Sequence, residues 1–223
     1  MDADEFFGSH LDRNPVLGIF RNLDPGATVE MCEHAWEFGV ELIEVPVQTP
    51  DALPSLRAAL EVAERRGKSV GAGTVTTASQ LKAVRELGVR FTVAPGFHPE
   101  VVAESQRAGL PHLPGVATST EIATALAHGF TWLKAFPARQ LGAGWIRAQL
   151  APFPGVRFVA TGGIDASNAA AFLAAGCRGV AVGSALNDPD ALVHLRDAIA
   201  SYCRVRRQEG LRGDSGHSGQ PIG

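Results

Sequence analysis

Residues 69–94 read SVGAGTVTTASQLKAVRELGVRFTVA, and this segment predicts one complete strand–helix–strand unit. Short apolar runs at Ser69–Gly73 and Phe91–Ala94 are typical of buried strands. Between them Thr77 is a helix-starting residue, Ala78–Leu87 has a helical pattern, and Gly88 is a helix-ending residue. Two strands joined by such a helix run parallel, because the chain must return to its starting end before the second strand begins.

The same unit repeats along the chain. The sequence predicts eight strands, at Val16–Phe20, Leu42–Pro46, Ser69–Gly73, Phe91–Ala94, His112–Pro114, Thr131–Ala135, Arg157–Ala160 and Gly179–Val182. Helical patterns separate them, with start signals that include Thr28, Thr77, Thr118 and Asp165.

Eight alternating units favour a closed barrel over an open sheet. We predict an α/β fold, a (β/α)8 TIM barrel with an additional N-terminal helix from about Asp2 to Leu11. An open doubly wound sheet is the alternative, but no GxGxxG motif follows the first strand. The predicted organisation is a single domain at 1–209 followed by a flexible C-terminal tail at 210–223, which is rich in glycine and polar residues.

The composition argues against several classes of protein. With 223 residues, 45% of them hydrophobic, and a formal net charge of -3, the chain can bury one core and has no basic field for nucleic acid. The three cysteines have no CxxC spacing, the histidines have no metal-binding spacing, and no apolar run is long enough to span a membrane. The acidic N-terminus is unlike a signal peptide. We therefore expect a cytoplasmic protein without a metal, a membrane partner or a nucleic-acid partner.

Lys134 is the first candidate for chemistry, because it interrupts the apolar run Thr131–Pro137. A buried ammonium is costly, so burial lowers the lysine pKa and yields the free amine that attacks ketones to form a Schiff base. The alternative is a strand-end lysine whose amine extends to solvent.

Glu44 interrupts the apolar run Leu42–Pro46 in the same way. It is either a structural ion-pair partner of Arg21 or Lys134, or a general acid and base with a raised pKa. A Schiff-base enzyme needs such a group for its proton transfers.

Other candidates lie where the predicted strands end, since a barrel carries its chemistry at the C-terminal ends of its strands. Glycine loops after strands seven and eight are placed where barrels often hold phosphate. The substrate-binding candidates are Arg21, Gln48, Thr74, Pro95, Phe136, Gly162, Gly163, Gly183 and Ser184.

Seven segments are distinctive in their order and spacing. They are Ile43–Pro46, Gly71–Val75, Ala94–Gly96, Pro114–Thr118 with Glu121, Leu133–Ala138, Thr161–Ile164 with Asn168, and Val182–Ser184. Together they resemble the class I aldolases that cleave 2-keto-3-deoxy-6-phosphogluconate (KDPG) and 4-hydroxy-2-oxoglutarate (KHG), with features of the 2-keto-3-deoxy-6-phosphogalactonate branch.

This resemblance implies a lyase of carbohydrate metabolism, a homotrimer without a cofactor. It would cleave a 2-keto-3-deoxy-6-phospho sugar acid to pyruvate and glyceraldehyde 3-phosphate, with cleavage of 4-hydroxy-2-oxoglutarate to pyruvate and glyoxylate as a further activity. Lys134 matches the family's Schiff-base lysine and Glu44 its acid/base glutamate. Thr74 matches a residue near the substrate carboxylate, Pro95 and Phe136 match pocket walls, and Gly162, Gly163 and Ser184 match the phosphate end.

One position departs from the KDPG branch. That branch usually has an arginine four residues after the glutamate, where it pairs with the substrate carboxylate, whereas this chain has Gln48. Arg21 is the candidate replacement, and the galactonate branch looks similar in having an arginine after strand one and a neutral amide after strand two. The sequence leaves gluconate and galactonate open, and two other functions: a non-catalytic module that binds phosphorylated sugar acids, and a metal-dependent pyruvate aldolase.

Overall fold

The computed structural model describes residues 2–183, 186 and 189–214, without the side chains of 189 and 207–214. Its strands are β1 Val16–Ile19, β2 Leu42–Pro46, β3 Ser69–Gly73, β4 Thr92–Val93, β5 His112–Leu113, β6 Gly115–Val116, β7 Trp132–Ala135, β8 Arg157–Thr161 and β9 Gly179–Val182. The helices are α1 Ala3–Leu11, α2 Pro25–Glu37, α3 Leu53–Arg66, α4 Ala78–Glu86, α5 Pro99–Ala108, α6 Ser119–Ala127, α7 Ala138–Leu141, α8 Ala143–Leu150, α9 Ala169–Ala174 and α10 Pro189–Asp214, with a 3-10 turn at Pro50–Ala52.

All strand pairs are parallel, and the sheet order is β5-β4-β3-β2-β1-β9-β8-β7-β6. The two ends of this order, β5 and β6, are consecutive in the chain and separated only by Pro114. Proline has no N–H to donate to the ladder, so it divides one strand into a half that pairs with β4 and a half that pairs with β7. The divided strand brings the ends of the sheet together, which confirms the predicted barrel with eight strand positions.

Of the four helix starts named from the sequence, two are confirmed and two are wrong. Thr77 and Thr118 cap α4 and α6 as predicted, each in a reciprocal capping box. The predicted start at Thr28 is wrong, because Asp24 accepts a hydrogen bond from the Ala27 amide and Pro25 begins α2 one turn earlier. The predicted start at Asp165 is also early, since α9 follows Asn168.

Helix α1 covers the barrel end where the strands begin. Its buried Phe6 and Phe7 pack on Phe91, and Phe7 also packs on Trp132, with ring centroids 5.3–6.2 Å apart within this group. These rings belong to an apolar cluster inside the barrel, which is separate from the larger core between the strands and the surrounding helices. Apolar side chains therefore fill the barrel interior between α1 and the layer that contains Lys134 and Glu44.

Helix α10 extends to Asp214, past the boundary at 209 that the sequence predicts for the domain. Residues 215–223 of the predicted tail lie outside the described residues, so the domain boundary stays a prediction. In the described part of the chain, no helix combines the length and the apolar character that a membrane span requires.

We expect Phe7→Ala to lower the free energy of unfolding by about 3–5 kcal/mol, because it removes a fully buried ring from the barrel interior. Urea unfolding measures the change. The control is Glu5→Ala, an exposed position on the same helix, which should cost less than about 0.5 kcal/mol. Equal stability of the two variants would contradict the packing of α1 on the barrel.

Candidate active site

Lys134 and Glu44 meet inside the barrel although they come from opposite sides of it. When β5 and β6 are counted as one divided strand, β2 and β7 lie four positions apart in either direction around the barrel. Leu42 and Trp132 belong to the interior apolar cluster, and side chains on a strand alternate between its two faces. The residues two positions further, Glu44 and Lys134, therefore point into the same interior one layer closer to the C-terminal ends, where Lys134 Nζ lies 3.9 Å from Glu44 Oε1.

Burial controls the protonation of this pair, since the side chains of Lys134 and Glu44 are only 4% and 1% exposed. Desolvation lowers the pKa of Lys134; the Glu44 charge opposes this shift, and the Arg21 charge adds to it. Desolvation likewise raises the pKa of Glu44, against the attraction of Lys134 and Arg21. Both shifts favour the uncharged forms, which are a nucleophilic amine and a carboxylic acid that can donate a proton.

The Glu44 carboxyl group lies over Gly73 on the neighbouring strand β3. A methyl group at position 73 would be only 1.3 Å from Glu44 Oε2, so no larger residue fits there while the carboxyl keeps its position. Oε2 is buried and has no hydrogen-bond partner among the described residues. An unsatisfied buried oxygen is costly, so Oε2 has unused capacity to accept a hydrogen bond.

A cavity of about 590 Å³ lies at the C-terminal ends of the strands, next to this pair. Lys134 lines it together with seven of the predicted residues: Arg21, Thr74, Pro95, Phe136, Gly162, Gly163 and Gly183. The Lys134 amine is 5.1 Å from the centre of the Phe136 ring, which forms an apolar wall beside it. Ser184, also predicted at the site, lies outside the described residues.

Thr161 also lines this cavity, and the sequence reasoning did not select it. The signal is the alternation of side chains on β8, because Val159 belongs to the interior cluster and Thr161 lies two residues further. Ile19, Ile164 and Ala181 complete the apolar part of the lining.

Gln48 does not line this cavity. It lies behind Arg21, beside an adjacent cavity of about 240 Å³. Its side-chain oxygen accepts a hydrogen bond from Arg21 Nη1 at 3.2 Å, while Arg21 Nη2 donates to Thr74 Oγ1 at 3.2 Å. Gln48 thus contacts the arginine that lines the cavity, and its predicted contact with substrate stays a prediction.

The glycine pair after β8 has left-handed backbone angles, with φ of 96° at Gly162 and 71° at Gly163. Its carbonyl groups already have partners: the Arg139 amide donates to the Gly162 oxygen at 3.0 Å, and Asn168 Nδ2 donates to the Gly163 oxygen at 2.9 Å. Asn168, the residue directly before α9, therefore holds the loop in place.

Over the described residues, no group of three histidine, cysteine, aspartate or glutamate side chains is arranged to hold a metal ion. The residues that line the cavity supply an amine, a guanidinium, two hydroxyl groups and backbone amides, and the Glu44 carboxyl group lies beside the amine.

Comparison with known proteins points to one family. The family model for "KDPG and KHG aldolase" matches residues 8–199. A probable 2-dehydro-3-deoxy-6-phosphogalactonate aldolase of Rhizobium meliloti is 36% identical over 78% of this chain and 82% of its own, and a 2-dehydro-3-deoxy-phosphogluconate aldolase of Treponema pallidum is 40% identical over 71% and 81%. The crystal structure of the KDPG aldolase of Legionella pneumophila, with pyruvate captured as a covalent carbinolamine, superposes with a TM-score of 0.74 at 29% identity, over 88% of this chain and 95% of that one.

We expect Gly73→Ala to lower the free energy of unfolding by about 1–3 kcal/mol, because the new methyl group overlaps the Glu44 carboxyl. Glu44→Ala should relieve this overlap, so the double variant should lose less stability than the sum of the single variants. Chemical unfolding measures both. Gly18→Ala on β1 is the matched control, since its methyl group meets neighbours at ordinary distances of 3.4–3.6 Å. Additive losses at positions 44 and 73 would contradict the contact.

We expect Arg21→Gln to raise the pKa of Lys134, because the guanidinium disfavours the ammonium form beside it. The variant should then need a higher pH than wild type to reach half-maximal modification of Lys134 by an amine-reactive reagent, with the modified residue mapped by mass spectrometry. Arg90→Gln, two residues before β4 and outside the cavity lining, should leave the profile unchanged. A shift to lower pH in Arg21→Gln would refute the electrostatic coupling.

Proposed function

This chain belongs to the KDPG and KHG aldolase family, and we propose that Lys134 and Glu44 carry out its carbon–carbon bond cleavage. The protein is a lyase, a class I pyruvate aldolase that cleaves a phosphorylated keto acid to pyruvate and an aldehyde. The observation that supports the residue assignment is the buried lysine amine facing a carboxyl group that has one unsatisfied oxygen.

The reaction begins at the carbonyl group of the substrate. The neutral amine of Lys134 attacks C2 to form a carbinolamine. Glu44 in its acid form gives its proton to the departing hydroxyl group, so loss of water leaves a carboxylate and an iminium ion that accepts the electrons of the C3–C4 bond. Glu44, in its carboxylate form and through a water molecule, takes the proton of the C4 hydroxyl as that bond breaks. The departing aldehyde leaves pyruvate on Lys134 as an enamine, which Glu44 helps to protonate at C3, and water then releases pyruvate from the lysine.

The distance between the two groups suits this sequence of steps. At 3.9 Å, Lys134 Nζ and Glu44 Oε1 are too far apart for a direct hydrogen bond, so a water molecule or a reacting group located beside the pair can bridge them. A purely structural ion pair would instead satisfy both carboxyl oxygens, and Glu44 Oε2 is unsatisfied among the described residues. This argues against the alternative in which Lys134 is only a charge partner in a binding module.

Arg21 and Thr74 are the proposed binding site for the substrate carboxylate. Both line the cavity that Lys134 lines, and they are already joined by a hydrogen bond of 3.2 Å. A guanidinium forms strong charge-assisted hydrogen bonds with a carboxylate, so Arg21 supplies the positive charge that the neutral amide of Gln48 lacks.

Turnover of the gluconate and galactonate C4 epimers, compared side by side, assigns the sugar acid.

The glycine loops are the proposed binding site for the substrate phosphate. The Gly162 and Gly163 carbonyl groups are already bonded, so what these two residues offer an anion is their N–H groups. Gly183, which lines the same cavity, extends the site, and Ser184 is the further residue that the family resemblance assigns to it.

The homotrimer implied by the resemblance stays a prediction.

The test is borohydride reduction in the presence of pyruvate, followed by mass spectrometry of the modified peptide. The chain has three lysines, and the exposed Lys68 and Lys82 are internal controls in the same sample. We expect one reduced pyruvate adduct, on Lys134, and no adduct and no cleavage activity in a folded Lys134→Met variant. Modification of the exposed lysines alone, or turnover by Lys134→Met comparable to that of wild type, would overturn the assignment.

A further inference from the structure

We propose that Asn22 is a positioning residue for the substrate carboxylate, which acts through Gln48 on Arg21. The inference rests on the proposed function, in which Arg21 and Thr74 bind that carboxylate. Neither the sequence reasoning nor the cavity lining selects Asn22, because its side chain lies on the far side of Gln48 from the cavity.

Four side chains form one hydrogen-bonded chain at the mouth of the barrel. Asn22 Oδ1 accepts from Gln48 Nε2 at 2.7 Å, and Gln48 Oε1 accepts from Arg21 Nη1 at 3.2 Å. Arg21 Nη2 then donates to Thr74 Oγ1 at 3.2 Å. The chain crosses the loops that follow β1, β2 and β3, and it ends at the cavity that contains Lys134.

The chemistry of the groups fixes the direction of every bond in this chain. A guanidinium has donors only, so Gln48 must turn its oxygen towards Arg21. The amide nitrogen of Gln48 then faces Asn22, which must present its own oxygen. Asn22 therefore selects the one orientation of the Gln48 amide in which its oxygen faces Arg21.

The backbone of Asn22 and Thr74, the two residues at the ends of this hydrogen-bonded series, supports a functional role. Asn22 and Thr74, with φ of 58° and 59°, are the two non-glycine residues with positive φ in the part of the chain that the structure describes. Such angles are disfavoured for residues with a side chain, and they concentrate where function requires them. Glycine would adopt this backbone at position 22 with less strain, but it has no carboxamide to orient Gln48.

The consequence concerns binding more than bond cleavage. Arg21 is an exposed, long side chain that loses conformational entropy when a substrate fixes it. Because Gln48 and Thr74 each hold one of its terminal nitrogens, the guanidinium is ordered before the carboxylate arrives, which lowers the cost of binding. Loss of the Asn22 acceptor frees the Gln48 amide to rotate and removes part of this ordering.

The test measures borohydride trapping as a function of pyruvate concentration in wild type, Asn22→Gly, Arg21→Gln and the double variant. Glycine keeps the left-handed backbone and removes only the side chain, so the fold is retained, which thermal unfolding checks. We expect the half-saturating pyruvate concentration to rise about fivefold in Asn22→Gly, as for one lost hydrogen bond, while the limiting rate changes by less than about twofold.

Two further readouts separate positioning from a structural role. Acetone, which has the ketone but no carboxylate, should not show the fivefold effect. In the Arg21→Gln background the Asn22→Gly substitution should have no further effect, because the residue through which it acts is gone.

Three results would each overturn this inference and leave the proposed function intact. The half-saturating pyruvate concentration of Asn22→Gly could equal that of wild type, or its half-saturating acetone concentration could rise by the same factor as that of pyruvate. Asn22→Gly could also raise the half-saturating pyruvate concentration as much in the Arg21→Gln background as in wild type. Absence of any wild-type adduct on Lys134 would instead overturn the proposed function, and this inference with it.

Discussion

The interaction on which the site depends is the contact between an amine and a carboxyl group in a dry barrel interior. Water would make Lys134 an ammonium ion and Glu44 a carboxylate, and burial opposes both charges. The contact requires the whole ring, because the two residues stand on opposite strands and meet only when every strand between them keeps its register. A shift of one residue in either strand would turn its side chain outward, away from its partner.

The barrel supplies this environment layer by layer. Helix α1 seals the end where the strands begin, with aromatic rings against Phe91 and Trp132. The apolar interior above it excludes water from below, and the ionisable pair forms the next layer. The loops at the C-terminal ends add polar groups to the cavity next to this pair, among them Arg21, Thr74 and the Gly162–Gly163 loop.

The features that sequence could predict are those with a local signal. Three predicted strands, Leu42–Pro46, Ser69–Gly73 and Gly179–Val182, have the observed bounds, because each is a short apolar run between clear turn residues. Lys134 and Glu44 were found because each interrupts such a run. The division of a strand at Pro114 was missed, although proline there is the signal for a break in hydrogen bonding.

The features that were missed depend on residues distant in sequence. The close approach of the Glu44 carboxyl group to Gly73 depends on which strands are neighbours. The hydrogen bond between Asn22 and Gln48 joins loops 26 residues apart. The position of Gln48 behind Arg21 follows from the same loop geometry, so the sequence identified the residue but not its partner.

The glycine at position 73 has a consequence for recognising barrels with a buried glutamate among distant sequences. Glu44 and Gly73 lie on adjacent strands, 29 residues apart in the chain, and the first can hold its place only if the second has no Cβ. Substitutions at the two positions are therefore linked: a chain that acquires a larger residue at 73 must also give up the glutamate or move it. This paired signature can be read from an alignment without a structure, and it would separate barrels that keep the buried acid from those that share only the architecture.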